Sequence, residues 1–188
     1  MALAVHPWPG PEPEWDSGLL VISVMTPGGE RGAARTRIRA AVTDVLAQSL
    51  RGDVALRTSP GQAPVILIDG VPSPIGLSIS HAGDLSVAAL NRAGPVGIDL
   101  MEVQAVSDWA RVAHDYLGMA VACRLAAMSD ADRPHAFAQA WAEREAQLKL
   151  AGLPLSEWTS GLDEGRVLPL DVPAGFAGAL AVQGQGPV

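Results

Sequence analysis

Three β-forming runs follow one another between residues 77 and 100 with only short polar turns between them, and no other stretch restricts the fold as much. Leu77-Ser78-Ile79-Ser80 leads through His81-Ala82-Gly83-Asp84 into Leu85-Ser86-Val87-Ala88-Ala89-Leu90. Asn91-Arg92-Ala93-Gly94 then turns the chain into Pro95-Val96-Gly97-Ile98-Asp99-Leu100. Asn and Gly tolerate the left-handed backbone that tight turns need, so the last two runs predict a β-hairpin.

The flanking segments alternate in period. Residues 19–24 form an apolar run stopped by Thr26-Pro27-Gly28-Gly29 and read as a buried strand. From 30 to 50 the pattern turns helical: Ile38, Val42, Val45, Leu46 and Leu50 recur at three- and four-residue steps, and Arg31, Arg35, Arg37 and Arg39 crowd its first part. One strand, residues 65–68, is expected inside the Pro- and Gly-punctuated stretch 60–73. Residues 106–128 look helical, and Ser129-Asp130-Ala131-Asp132 reads as a capping cluster before a helix over 134–150. Gly152-Leu153-Pro154 ends that helix, and residues 166–170 with 176–182 predict a final hairpin.

Strand–helix–strands followed by strand–helices–strands predicts an α+β fold of two pseudo-symmetric α/β halves, each a small antiparallel sheet packed with helices. The expected division is a proline-rich N-terminal arm over 1–17, an N-terminal half over 18–94 and a C-terminal half over 95–188. The arm reads as an extended segment or a poorly ordered tail.

A hydrophobic fraction of 48%, much of it alanine, is ample for a core, and only 18% of residues are charged, which argues against a disordered chain. The net charge of -7 disfavours a wide basic footprint for nucleic acid. The single cysteine, Cys123, excludes an internal disulfide and a cysteine-based zinc site; its alanine-rich neighbours predict a buried thiol. The N-terminus lacks a basic segment followed by an apolar run, and no apolar stretch reaches spanning length. These features predict a cytoplasmic protein without a membrane partner.

Of 13 strong bases only Lys149 is lysine; the rest are arginine. An ammonium can surrender a proton, whereas guanidinium stays charged, so a step that needs a proton donor would call for lysine. Trp141, Glu145 and Lys149 are spaced four apart and share one helix face. The same Glu–Lys spacing also describes an ordinary surface ion pair, which contributes only about 0.2–0.5 kcal/mol. Asp99 lies near the end of one strand, and His81 follows Ser80 at the mouth of another. Two carboxylates from separate elements, Asp99 and Glu145, suit a hard cation such as Mg2+, and such a cation on a diphosphate would serve phosphoryl transfer.

Ser78-Ile79-Ser80-His81, Val96-Gly97-Ile98-Asp99 and the set Trp141, Arg144, Glu145, Ala146 and Lys149 occur in order. Together they resemble the 4′-phosphopantetheinyl transferase superfamily, in its larger single-chain type with two pseudo-symmetric halves. The family writes its third motif Trp-x-x-Lys-Glu-Ala/Ser-x-x-Lys, so Arg144 replaces the first lysine. The resemblance covers residues 75–152 well and the first half loosely. It implies transfer of the phosphopantetheine arm of coenzyme A to a serine of an apo acyl, peptidyl or aryl carrier protein, with release of 3′,5′-ADP. It further implies Asp99 and Glu145 as magnesium ligands, Glu145 also as base or water-positioner, and Lys149 on the phosphate. Ser80 and His81 would meet the phosphoadenosine end of coenzyme A, and Arg35, Arg39 and Arg57 could reach its phosphates. Unaligned arginines equally describe a solvated face, and Trp141 reads as core.

The chain departs from the family pattern at three places. Met101 stands where a second strand carboxylate is usual, and thioether is a poor magnesium ligand. Glu102 is adjacent, but neighbouring strand side chains point to opposite faces. Gly61-Gln62-Ala63-Pro64 lacks the usual lysine, and Leu117-Gly118-Met119-Ala120-Val121 replaces a Ser-x-x-Glu step. A second reading is therefore a catalytically weakened homologue that binds coenzyme A or a carrier protein as a regulatory or scaffolding partner. A third is an ordinary α+β domain with a chance match. The single-chain type implies a monomer, and an acidic carrier would have to dock through an apolar patch around residues 106–128 with Arg111 and Arg124.

Overall fold

Alternating apolar residues along each strand set up two sheets that share one apolar interior. The computed structural model describes residues 2–28, 30–59, 62–160 and 165–184. Its first part runs β1 (His6–Pro7), β2 (Leu19–Met25), α1 (Arg31–Ser49), β3 (Val54–Arg57), β4 (Val65–Ile68), β5 (Val71–Pro72), β6 (Gly76–Ala82) and β7 (Leu85–Asn91). The second runs β8 (Val96–Glu102), α2 (Trp109–Val112), a π-type turn over Ala113–Leu117, α3 (Met119–Ala126), α4 (Arg133–Ala151), β9 (Arg166–Pro169) and β10 (Phe176–Val182).

The fold is α+β, as expected, with small and mostly antiparallel sheets packed by helices. One sheet has the order β1-β2-β7-β6, a second β8-β10-β9, and β3-β4-β5 form a third, smaller one. Strands β2-β7-β6 and β8-β10-β9 repeat a single topology: the first strand pairs with the last, and the last with the middle one. Val21, Val87 and Ala89 of the first sheet meet Val96, Ile98, Leu100 and Leu180 of the second in one cluster. The first sheet's other face, with Leu20, Ile22 and Leu90, packs on Ile38, Val42 and Leu46 of α1. Each such aliphatic side chain, fully buried, stabilises the fold by roughly 1.5–3 kcal/mol. Among the described residues no helix is long and apolar enough to cross a membrane.

Four expectations need correction. The hairpin between 85–90 and 95–100 does not form: β7 lies between β2 and β6, so both of its hydrogen-bonding edges are taken, and β8 pairs with β10. The helical stretch 106–128 is broken at Gly118, whose φ of 85° no helix accommodates. A Cβ there would lie 2.8 Å from the Trp158 ring, so this glycine also makes room for an indole. Cys123 is exposed, because α3 turns Leu125, Val121 and Ala122 inward instead. Of the two readings of the N-terminal arm, the extended segment holds from residue 2 on and the poorly ordered tail does not. Its β1 pairs with β2, Leu3 exchanges backbone hydrogen bonds with Pro169 and Asp171, and Trp8 and Trp15 cover the α1 core. Gly29, Pro60 and Gly61, which entered the turn readings, lie outside the described residues, as do residues 161–164 and 185–188 of the expected C-terminal half.

Candidate active site

Small residues bring the site together. On β8, Gly97 and Asp99 face α4, opposite Ala181 and Ala179 of β10. Ala142 and Ala146 of α4 pack on those alanines, all four buried. A Cβ on Gly97 would run into the Ala146 carbonyl and the Leu150 amide. The helix therefore lies close on the strand, and side chains one turn apart on α4 reach the edge of β8. The alanine-rich composition serves this close approach.

β8 is an edge strand whose outward amides find side chains instead of a backbone ladder. Ile98 N–H donates to Ser78 Oγ at 3.1 Å, and Leu100 N–H donates to Ser80 Oγ at 3.2 Å. The Ser80 hydroxyl donates onward to Asp99 Oδ1 at 2.8 Å. Lys149 Nζ donates to that same oxygen at 2.7 Å and to the Ile98 carbonyl at 3.0 Å. The side chains of Lys149 and Asp99 are 31% and 11% exposed, which separates this pair from weak surface ion pairs. Among the described residues Lys149 pairs with Asp99 and not with Glu145, so the helix-surface reading of the four-residue spacing does not hold.

Glu145 is half-buried on the same helix. Burial, then the charge of Asp99, holds its carboxyl above the usual carboxylate range, while Lys149 and Arg144 pull the other way. His81 donates or accepts with Ser86 Oγ through Nδ1 at 2.8 Å. Burial lowers its pKa from the ordinary value, helped by Arg35, Lys149, Arg31 and Arg39.

A cleft of about 1240 Å³ opens beside this cluster. Arg35 and Arg39 from α1, Ser78 and His81 from β6, and Lys149 from α4 line it. The structure thus gathers Arg35, His81 and Lys149 at one cleft, and Asp99 adjoins it through its ion pair with Lys149; Glu145 is not in the lining. It does not bring Ser80 there: that side chain is buried, and its hydroxyl is committed to Asp99 and Leu100. Arg57 is exposed on the edge strand β3, just before the Thr58 and Ser59 that line the cleft, and is not in the lining itself. Ser78 is the residue that sequence reasoning quoted without assigning; its two-residue spacing from Ser80 already placed both on one strand face. Trp141 stacks with Phe137 at 6.1 Å between ring centroids, a core role.

Among the described residues no group of three or more His, Cys, Asp or Glu side chains is arranged to hold a metal ion. Met101 shares the strand face of Asp99 but packs into the apolar cluster around Phe137 and Leu117. Two carboxylates remain, close enough for one to raise the other's pKa. That donor set fits magnesium, which binds through one or two carboxylates and fills its shell with water and substrate phosphates. Compared with known proteins, the chain matches no family model and no curated protein.

Proposed function

We propose that this chain is a magnesium-dependent 4′-phosphopantetheinyl transferase that moves the pantetheine arm of coenzyme A onto a serine of an apo carrier protein. The observation that carries the reading is the meeting of three distant motifs at one point: Ser80, Asp99 and Lys149 share one hydrogen-bonded cluster beside Glu145. The adjoining cleft supplies cations for an anionic cosubstrate, with Arg35 and Arg39 on one wall and Lys149 on the other.

In this reading the carrier serine Oγ attacks the pantetheine-side phosphorus of the coenzyme A diphosphate. A new P–O bond forms, the bond to the bridging oxygen breaks, and 3′,5′-ADP leaves. Glu145, made more basic by burial and by Asp99, takes the serine proton, and Lys149 passes one to the departing oxygen. Asp99 holds Lys149 in place, and Ser80 holds Asp99. Asp99 and Glu145 would hold magnesium, which when bound neutralises charge on the diphosphate. Arg35, Arg39 and His81 would orient the phosphoadenosine end. The carrier would dock on the α2–α3 region, where Met119 and Met128 are exposed, and the setting implied is a cytoplasmic monomer.

Met101 favours a second reading, in which the chain binds coenzyme A or a carrier without efficient transfer. Intact-mass measurement on a panel of apo carrier proteins, incubated with coenzyme A, magnesium and this protein, separates the two. A gain of one phosphopantetheine supports the enzyme. No gain across the panel, with coenzyme A binding retained, supports the second reading.

A further inference from the structure

One oxygen of Asp99 is fully committed within the protein itself. Oδ1 accepts from Ser80 Oγ at 2.8 Å and from Lys149 Nζ at 2.7 Å. A carboxylate oxygen offers about two lone-pair sites, so this one is filled, and Oδ2 is the atom left for a cation. Lys149 is fixed there by more than charge. Its ammonium also donates to the Ile98 carbonyl at 3.0 Å, and its helix lies against β8 at Gly97. Both side chains are largely withdrawn from water, which weakens screening of the pair. Glu145, one turn earlier on the helix, feels the charges of Asp99, Lys149 and Arg144 together. Met101 shares the strand face of Asp99 but packs into the apolar cluster around Phe137, and so adds no carboxylate. Arg35 and Arg39 line the adjoining cleft with Lys149. Strong cations therefore outnumber the two carboxylates around this point. Such a field disfavours a free dication and attracts a polyphosphate.

We propose that Lys149 sets the order of binding: beside its ammonium, Asp99 and Glu145 hold a divalent cation weakly alone and tightly only together with a diphosphate. In the transferase reading, on which this rests, diphosphate oxygens add the negative charge that Lys149 cancels on Asp99. They also offer the ammonium a second anionic partner, so the carboxylate no longer carries it alone. Lys149 thereby governs cation uptake as a positioning residue, apart from any proton that it passes on.

Electron paramagnetic resonance of unbound Mn2+ tests this on the full chain, with Mn2+ as the oxygen-binding probe and no carrier protein present. The signal counts free ion, so binding is read without any transfer. Wild type alone is expected to hold Mn2+ at least about tenfold more weakly than wild type with coenzyme A, once the ion held by coenzyme A itself is subtracted. Lys149→Met is expected to bind Mn2+ without coenzyme A at least about tenfold more tightly than wild type, because the competing charge is gone. Lys149→Gln, neutral but polar, should do the same where the methionine variant unfolds. Adding Asp99→Asn to either variant should remove the gain, which places it on this carboxylate. Neutral variants that bind no more tightly than wild type would overturn the proposal and leave the transferase reading standing. So would a gain that survives Asp99→Asn, or a wild type that holds Mn2+ equally with and without coenzyme A. Mn2+ bound by none of these proteins, with or without coenzyme A, would overturn both the proposal and that reading.

Discussion

Ser80 is where structure and chemistry meet most closely at the scale of single residues. Its hydroxyl satisfies an edge-strand amide with its lone pair and fixes Asp99 with its proton. Ser80→Ala leaves both partners short of a bond in a buried place, and we expect a loss of roughly 1–3 kcal/mol in urea unfolding. Transfer should slow as well, because Asp99 no longer holds Lys149 in one geometry. Unchanged stability would remove Ser80 from this role. His81 makes a prediction about pH. Its folded pKa lies below the unfolded value of 6.5, so between the two the unfolded chain binds more protons. Stability should therefore fall as pH drops from 6.5 to the folded pKa and level off below it. His81→Gln should flatten that part of the curve; an identical curve would show that burial and the cations of α1 do not act on this ring. The sequence made His81, Asp99 and Lys149 visible because each stood in a short motif. It hid the part played by Ser80, since a serine facing the cleft and one sealing a strand edge have the same spacing.

At the scale of elements, the decisive contact is the seating of α4 on β8 and β10 through Gly97, Ala142, Ala146, Ala179 and Ala181. Gly97→Ala would set a methyl against helix backbone rather than against a flexible side chain, so the helix must move. We expect a cost of about 3 kcal/mol or more, measured by chemical unfolding, with transfer impaired in whatever folds. A neutral result would mean that α4 does not lie this close. Strand and helix periods were legible in the longer elements, though not in β1, β3 and β5: β4 covers the expected residues, and β9 and β10 pair as expected. Pairing was less legible. The Asn91–Gly94 turn carries the chemistry of a hairpin, but local turn chemistry does not say which edges are already occupied. The break at Gly118 was hidden for a similar reason, because its cause is an indole forty residues away in the chain.

For the whole molecule, the two sheets are joined by the shared apolar layer, by the Ser78 and Ser80 seam, and by the N-terminal arm. The arm touches both sheets, with Leu3 against Pro169 and Asp171 and β1 against β2. Removing residues 1–10 should lower Tm by roughly 4–8 °C, the shift expected for about 2 kcal/mol in a chain of this size. A negligible shift would make the arm an accessory. Proline content left the arm open between an extended segment and a tail, since proline forbids central strands but not a short edge pairing. The α+β class was legible because each half writes strand, helix and hairpin in that order.

The central claim is that Lys149 gives a proton to the leaving group from a position fixed by Asp99. Single-turnover transfer from coenzyme A to an apo carrier protein, comparing wild type with Lys149→Arg, tests it most directly. Arginine keeps the charge and the ion pair but cannot yield the proton, so the account predicts a rate at least about 10²-fold lower. A Lys149→Arg variant that transfers at nearly the wild-type rate, or a wild type that transfers nothing, would contradict it.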